Sequence, residues 1–468
     1  MKSRMLKFLV AILLFAVHFG IAGAERPVPR EALAARLAEG PDVIAIMHFG
    51  LNTYTDKEWG YGDEDPALFN PEKFDASRIA SECKAGGIGG IVLVAKHHDG
   101  FCLWPTKTTP YNISKSPFRS GKGDLVREMA EACRAAGLKF GVYVSPWDRN
   151  NADYGTERYV EIYHEQLREL ACGDYGEIFE AWFDGANGGG GFYGGAKETR
   201  TIGRDYYRFG ELFAMIRELQ PRATIFAEDD ASDFRYPGNE RGMLAPDSRA
   251  TVVACGGLEN RKFLNPEYPR YKNKGKADGE FFRVCEADFP LRKSWFYHER
   301  DRGTVKNAAY LAKIYCGTVG NGGTMNIGIA PRKDGTLDAE DVRALRGFKA
   351  MRDALFAKEA AEGEPFNVVV LREDLANGEQ VDGWRILAGG REILSGAAIG
   401  ARRIRLLAKP VAANDVQLEI TKHGGNVLPV SMKLYFAGEE LVAAIRGANA
   451  DSGETDTAKW MEGKEQEK

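Results

Sequence analysis

The sequence lacks several features that mark specialised classes of protein. Its 468 residues contain seven cysteines, none in a C-x-x-C pair, so neither a cysteine-based zinc site nor a dense disulfide framework is expected. The odd number and wide spacing of the cysteines indicate mostly buried free thiols. Neither sign of charge dominates, with 63 basic against 67 acidic residues, which disfavours nucleic acid as a partner. An apolar content of 44% is typical of a globular chain long enough for two domains.

Long apolar runs are absent after residue 24. Residues 1–24 carry Lys2, Arg4 and Lys7, then an apolar run over 8–16 and small residues ending at Ala24, the pattern of a cleaved signal peptide. A retained single-span anchor is the alternative, but the run is short for a bilayer. Cleavage would leave 60 basic and 67 acidic residues, a net charge of −7. We therefore expect an exported protein, periplasmic or extracellular, without membrane contact after signal removal.

Short apolar runs alternate with amphipathic segments between about residues 42 and 356. Repeated βα units of this kind predict an α/β fold, specifically a (β/α)8-like barrel, with a doubly wound sheet as the alternative. The barrel is favoured because reactive side chains follow several runs, among them His48, Asp148 and Asp184. The predicted strands cover 43–47, 88–95, 139–144, 178–183, 223–227 and 324–329, and the helices include 76–84, 125–136, 159–170, 207–219 and 305–318.

The pattern changes after Phe356 to short alternating strands punctuated by turn residues. We predict a small antiparallel β-sandwich over 357–440. Residues 441–468 are assigned to a charged tail. The predicted organisation is a signal peptide over 1–24, a catalytic barrel domain over 25–356, the sandwich and the tail.

Histidines are few and concentrated. Six follow residue 24, and His48, His97 and His98 come directly after predicted strands. Neighbours on a strand point to opposite faces, so one ion would rarely bind both His97 and His98, and no spaced ligand set completes a metal site. The pattern favours imidazoles that bind sugar hydroxyls, with ordinary polar residues at a barrel mouth as the alternative. We expect neither a metal nor an organic cofactor.

Aromatic and acidic residues cluster at the same strand ends. Aromatic faces stack on the apolar side of a pyranose while polar neighbours bind its hydroxyls, so the cluster predicts a carbohydrate pocket. Its members are Trp59, Trp104, Trp147, Trp182 and Tyr143, with the acids Glu58, Asp99, Asp148 and Asp184.

Asp184 is the sharpest candidate for a catalytic group, because it ends an apolar strand and precedes two small residues. A glycosidase needs one ionised carboxylate and one carboxyl that protonates the leaving oxygen. Glu228, Glu240 and Glu286 are all candidates for the second role, and chemistry alone does not choose among them.

Five ordered motifs resemble the α-L-fucosidases of glycoside hydrolase family 29. They are His48-Phe49-Gly50-Leu51-Asn52-Thr53, Glu58-Trp59-Gly60, Lys96-His97-His98-Asp99-Gly100-Phe101, Ser145-Pro146-Trp147-Asp148 and Trp182-Phe183-Asp184-Gly185-Ala186. The resemblance implies a (β/α)8-like domain with a C-terminal β-sandwich, and retaining hydrolysis of α-L-fucosides without a cofactor. The implied partner is a fucosylated oligosaccharide or glycoconjugate.

The resemblance also implies residue roles. Asp184 resembles the nucleophile, and Glu240 resembles the acid/base of the branch selective for α-1,3/1,4-linked fucose. Arg235 would then contact the sugar, and Glu286 is the reserve for the acid/base or a residue of the leaving-group side. The residues that fall on the family's fucose-binding positions, together with the pocket tryptophan 147, are His48, Glu58, Trp59, His97, His98, Tyr143, Trp147 and Trp182.

Two departures concern the leaving-group side. Gly190 stands where the branch has an aspartate, and the stretch after Glu286 is less typical. A broad fucosidase that also cleaves α-1,2 bonds and aryl fucosides is therefore the alternative within the enzyme class. Outside it stand a fucose-binding protein without catalysis and a metal-dependent barrel hydrolase using His97, His98 and Asp184. The sequence does not indicate an oligomeric state.

Overall fold

Eight parallel strands form a closed barrel in the computed structural model, which describes residues 26–259, 262–412, 414–425 and 427–449. Each strand pairs with the strands before and after it in the chain, and the last strand pairs with the first, which closes the barrel. This confirms the predicted barrel. The predicted signal peptide and residues 450–468 of the predicted tail lie outside the described residues. The strands are β1 (Val43–Met47), β2 (Gly90–Lys96), β3 (Lys139–Val144), β4 (Glu180–Trp182), β5 (Thr224–Phe226), β6 (Phe234–Arg235), β7 (Val284–Pro290) and β8 (Thr324–Ile329).

Helices pack around most of the barrel, and several begin at a side chain that caps the free backbone N–H groups. Asp75, Asp124 and Asp338 each accept such a hydrogen bond at the start of a helix. The connection 227–233 between β5 and β6 contains turns instead of a helix, so the barrel is (β/α)8-like. The helices are Glu31–Glu39, Leu51–Thr55, Ala76–Ala85, Leu125–Ala136, Glu157–Ala171, Phe209–Leu219, Tyr268–Tyr271, Ala308–Thr318, Ala339–Leu355 and Glu439–Gly447.

Loops at the carboxyl ends of the strands carry three further strand pairs. They are Gly189–Gly191 with Glu198–Arg200, Leu258–Glu259 with Lys262–Phe263, and Phe281–Phe282 with Thr251–Val252.

Side chains alternate between the barrel interior and the helix layer. In β1, Ile44 and Ile46 belong to the interior cluster, whereas Val43, Ala45 and Met47 pack against the helices. The same alternation holds around the barrel, because successive residues of a strand face opposite sides of a sheet. The residues that continue this alternation past the carboxyl end of a strand therefore face the central pocket.

The C-terminal region forms two three-stranded antiparallel sheets with a shared apolar core. One sheet has the strands Arg403–Val411, Phe366–Glu373 and Val430–Tyr435 in that order, and the other has Arg391–Gly396, Val381–Ala388 and Val416–His423. Trp384 is the largest side chain of their core. This confirms the predicted antiparallel sheets. The strands are β9 (Phe366–Glu373), β10 (Val381–Ala388), β11 (Arg391–Gly396), β12 (Arg403–Val411), β13 (Val416–His423) and β14 (Val430–Tyr435).

The helix Glu439–Gly447 crosses the predicted start of the charged tail at residue 441. Its Val442 and Ile445 are buried in the large core cluster, so residues 441–447 are part of the folded structure. The prediction failed here because two apolar residues three positions apart suffice to attach a short helix.

All seven cysteines lie in the described residues and are unpaired, and five of them are buried. Within the described ranges, no helix is long and apolar enough to span a bilayer.

Candidate active site

Asp184 lies at the base of the central pocket because Glu180 and Trp182 of β4 face the interior, which makes residue 184 the next inward position. Its Oδ2 accepts a hydrogen bond from the Tyr143 hydroxyl at 3.1 Å, and its Oδ1 accepts one from the Ala186 N–H at 2.6 Å. The carboxylate remains 29% exposed. It is thus fixed in orientation and still open to a ligand.

Tyr143 is a permanent hydrogen-bond donor to this carboxylate. Burial raises the pKa of its hydroxyl well above the ordinary value, and the charge of Asp184 raises it further. The phenol therefore stays protonated.

His97 and His98 both line the pocket, with ring centroids 4.1 Å apart. The expectation that they point to opposite faces was wrong, because β2 ends at Lys96 and its pairing with β3 shifts between Val94 and Lys96. Such a bulge re-aims the side chains that follow it. No group of three potential metal ligands occurs in the described part of the chain.

The neighbours of the two imidazoles indicate their tautomers. The Oδ1 of Asn52 accepts the Gly60 N–H, so its Nδ2 donates to Nδ1 of His97 at 3.2 Å, which leaves the proton on Nε2. Ser145 donates its hydroxyl to a carbonyl, so it accepts from Nδ1 of His98 at 2.7 Å. In neutral His98, Nε2 is then an acceptor, and it lies 4.0 Å from Asp184 Oδ2. The pair therefore offers one donor and one acceptor for sugar hydroxyls.

His48 closes the pocket from β1. Burial lowers its pKa to about 3, so the imidazole is neutral. Its ring contacts those of His97 and Tyr143, and also Trp295 and Phe296 from the loop after β7.

Three of the four predicted tryptophans form the walls and floor, whereas Trp104 is buried in the helix-side core and donates its Nε1–H to Glu169. Trp59 meets His98 edge-on at 5.3 Å and Trp147 at 5.7 Å. Trp147 is buried and donates its Nε1–H to the Tyr193 hydroxyl at 2.9 Å. Trp182 stacks on Phe226 at 4.0 Å and forms the floor beneath Tyr143. Trp59 is the half-buried member of the set, so it has the ring face that a sugar can reach.

Several acids surround the side of the pocket opposite the histidines. Tyr236 follows β6 and lies within electrostatic range of Asp184, Glu228, Glu240 and Asp288. Glu240 is on the loop after β6 and is half-buried. It interacts electrostatically with the buried carboxyl of Asp288, whose pKa is raised well above its ordinary value by burial and then by that neighbouring charge.

Glu228 shares a cavity of about 340 Å³ with Asp184. Its Oε2 accepts a hydrogen bond from Tyr268 at 3.1 Å, and burial raises its pKa. The cavity has the size of a small-molecule site and extends past Asp184 along the loop that begins at Asn187.

Glu58 is placed at the pocket rim, where it holds the loop after β7. Its two carboxylate oxygens accept the N–H groups of Trp295 at 2.9 Å and Phe296 at 3.2 Å. The side chain is 10% exposed.

Two of the predicted site residues do not reach the pocket. Arg235 sits one position after the inward Phe234 and donates to the carbonyls of Lys272, Ala250 and Arg249 outside the barrel. Glu286 does face the interior, but it lies beneath Trp182 with no exposed surface. The structure therefore assigns both residues to packing and not to sugar contact.

Two acids that were predicted to line the pocket, Asp148 and Asp99, instead bind backbone N–H groups of nearby loops. Asp148 accepts the N–H groups of Asn150 and Asn151, and Asp99 accepts that of Phe101. Burial raises the pKa of Asp99 to about 8.

The pocket residues that sequence reasoning missed are Tyr236 and Asp288. Tyr236 and Asp288 could have been found by counting in twos from Phe234 and Val284, had β6 and β7 been recognised as strands.

A barrel that gathers carboxyl groups and an aromatic, hydroxyl-binding pocket at the carboxyl ends of its strands defines the class of glycoside hydrolases. Within that class the chain belongs to the α-L-fucosidase family, whose sequence model, described as Alpha-L-fucosidase, matches residues 15–350.

Individual relatives agree with this assignment. The chain is 35% identical over 387 residues to the putative α-L-fucosidase 1 of Oryza sativa subsp. japonica, covering 80% of this chain and 69% of that protein. It is 36% identical over 330 residues to α-L-fucosidase 1 of Arabidopsis thaliana, covering 70% and 61% of the two chains.

Solved structures of similar fold cover most of the chain. A glycoside hydrolase 29 family member from an unknown rumen bacterium superposes with a TM-score of 0.80 at 35% identity, covering 88% of this chain and 78% of that one. A putative α-L-fucosidase from Bacteroides ovatus gives 0.76 at 32% identity, with 88% and 75% covered.

Proposed function

We propose that the chain is a retaining α-L-fucosidase that releases α-1,3- or α-1,4-linked fucose from branched, Lewis-type glycans. The observation that carries the chemistry is Asp184, a partly exposed carboxylate held by the Tyr143 hydroxyl and the Ala186 N–H beside the two imidazoles. A nucleophile of this kind must be ionised, oriented and accessible at once.

In the proposed first step, Asp184 attacks the anomeric carbon of fucose while Glu240 gives its proton to the glycosidic oxygen. The bond to the leaving glycan breaks and a covalent fucosyl-enzyme forms. Glu240 then takes a proton from water, which attacks the same carbon and frees Asp184. The two carboxyl groups of a retaining pair lie roughly 5 to 5.5 Å apart when substrate is bound.

The linkage proposal is supported by the cavity that Asp184 shares with Glu228. It extends beside the nucleophile and has room for part of a branched leaving group. It is lined by polar side chains of the loops after β4 and β5, including Asn187, Arg204 and Asp229.

The first experiment compares fucose release from a Lewis-type trisaccharide, an α-1,2-fucosylated disaccharide and an aryl α-fucoside, with Asp184→Asn as the blank. Release from the trisaccharide alone, abolished in the blank, supports the proposal. Release from all three would support fucosidase activity at Asp184 but would contradict the linkage proposal in favour of broad specificity. No release from any, with fucose still bound, would identify a binding protein.

A second experiment identifies the acid/base by comparing Glu240→Gln with the matched variant Glu228→Gln. Loss of the acid slows cleavage of a poor leaving group far more than that of an activated aryl fucoside, which needs little protonation. We expect this contrast for Glu240→Gln only. The same contrast in Glu228→Gln would transfer the role to Glu228.

We also propose that residues 1–24 direct export and are removed. The intact mass of the protein recovered outside the cytoplasm tests this, since cleavage after Ala24 makes Glu25 the first residue. A mass that includes residues 1–24 would contradict it.

A further inference from the structure

His298 is buried between two carboxylates at the rim of the pocket. Its Nε2 lies 2.6 Å from Oε1 of Glu58, and its Nδ1 lies 2.6 Å from Oδ1 of Asp56. The ring itself has no exposed surface. Each ring nitrogen thus faces a hydrogen-bond acceptor.

This geometry calls for the charged imidazolium, because a neutral imidazole carries one N–H and can serve only one of the two acceptors. The charged groups that face the ring are Asp56, Glu58 and Arg300, which itself binds Asp56 Oδ2 at 2.6 Å. Burial lowers the pKa of His298, but the hydrogen bonds and charges of the two carboxylates outweigh it, so the pKa is raised overall.

Glu58 connects this ion cluster to the sugar pocket. The oxygen that faces His298 also accepts the Phe296 N–H, and the other oxygen accepts the Trp295 N–H. Trp295 lies 5.0 Å from the ring of His48, and Phe296 contacts both His48 and His97. Two walls of the pocket therefore depend on the orientation of one carboxylate.

We propose that protonated His298 is a positioning residue, which holds Glu58 and through it Trp295 and Phe296 against the fucose pocket. The inference rests on the proposed function, since it assigns this pocket to the sugar. When His298 loses its proton, one of its two contacts becomes a pair of facing acceptors and the loop after β7 is released. Substrate binding then weakens as pH rises.

The kinetic test measures kcat and KM across pH for the wild type, His298→Gln and Asp56→Asn. Because the pKa of His298 is raised, its deprotonation should raise KM on the alkaline side, whereas ionisation of the general acid lowers kcat. Asp56→Asn removes one facing charge while asparagine tolerates the positive φ of 59° at this position, so the alkaline rise in KM should move to lower pH. His298→Gln should lose this pH-dependent rise and have a KM about tenfold higher, with a smaller change in kcat.

A matched control is His423→Gln, which changes an exposed histidine of β13 and should leave both the profile and KM unchanged. The NMR signals of 15N-labelled histidine, assigned with His298→Gln, report the protonation of His298 without requiring activity. If the chain releases no fucose but the His298 signal titrates at raised pH, the proposed function fails and the ion cluster stands. The positioning proposal is overturned if His298→Gln keeps the wild-type KM at every pH, or if Asp56→Asn leaves the alkaline rise in KM in place.

Discussion

Replacing Glu286 by glutamine should leave the enzyme active and nearly as stable as the wild type. Glu286 lies inside the barrel below the pocket, where its Oε1 accepts the Nε1–H of Trp182 at 3.0 Å and the Nδ2–H of Asn326 at 2.9 Å. Beside it is Glu180, whose carboxylate lies 3.2 Å from the Arg36 guanidinium. All three charged side chains are buried.

The expected size of the effect follows from the charges of this group. Burial raises the pKa of Glu180 well above its ordinary value and also raises that of Glu286, so the two carboxyls hold one proton between them and Arg36 balances the remaining charge. Glutamine at position 286 keeps an acceptor for Trp182 and leaves Glu180 as the single carboxylate beside Arg36, so the net charge of the buried group is unchanged. We therefore expect a change of no more than about 1 kcal/mol in the free energy of unfolding.

Alanine at the same position should behave differently. It removes the acceptor for two buried donors and leaves a cavity, which together should cost about 3 kcal/mol. Glutamine removes only the ionisable group, whereas alanine also removes the hydrogen bonds. The difference in unfolding free energy between the two variants therefore separates these contributions.

The pH dependence has a definite sign. A carboxyl whose folded pKa is raised contributes stability that is complete below the unfolded pKa of about 4.5 and is lost as pH rises through the folded value. In Glu286→Gln the pair is reduced to one carboxylate with no shared proton to lose, so this variant should lose less stability than the wild type on the alkaline side.

Guanidinium chloride unfolding at acid, neutral and alkaline pH, beside kcat/KM on an aryl fucoside, measures both effects. We expect kcat/KM within about twofold of the wild type, because the fully buried carboxyl does not touch the sugar. A loss of a hundredfold or more in Glu286→Gln, with unfolding unchanged, would refute this reasoning and return Glu286 to the catalytic groups.

Three further variants test the placement of individual side chains. Tyr143→Phe removes the hydroxyl donor to Asp184 and should lower kcat/KM by about tenfold to a hundredfold at unchanged stability, and an unchanged rate would mean that this hydrogen bond does not orient the nucleophile. Arg235→Lys puts one nitrogen in place of the three that each donate to a separate carbonyl, so it should destabilise by about 2 to 4 kcal/mol without altering KM, whereas a raised KM at wild-type stability would indicate sugar contact. Gly328→Ala places a Cβ 2.7 Å from the ring of Trp295, so it should raise KM and cost about 1 to 3 kcal/mol, and a wild-type crystal position of that ring would contradict the crowding argument.

Local pattern was sufficient to predict six of the barrel strands, because short runs rich in Val and Ile such as Val43–Met47 and Thr324–Ile329 are typical of buried parallel strands. The strands β6 and β7 were not predicted, for two different reasons. Phe234–Arg235 is too short to show a period, and Val284–Pro290 carries Glu286 and Asp288 where a buried strand ordinarily carries apolar residues. Burial of those two carboxyls depends on neighbours that are distant in sequence.

The same distinction between predicted and unpredicted strands applies to the residues of the candidate site. His48 and Asp184 follow strands that the sequence pattern predicted. Both lie at the pocket, one and two positions past the end of their strands. Arg235 and Glu286 were assigned from the family resemblance without a known strand register, and the register decides that the first faces outward and the second lies too deep.

The sequence by itself determined the alternation of strands and helices, the family, and the identity of most pocket residues, because each of these is written in local periodicity or in ordered motifs. Only the tertiary structure decided how the residues act on one another. The bulge before His97 places two adjacent imidazoles side by side, the hydroxyl of Tyr143 orients Asp184, and His298 lies between Asp56 and Glu58. These relations depend on distances of a few ångströms between residues far apart in the chain, and such distances are fixed only when the barrel closes.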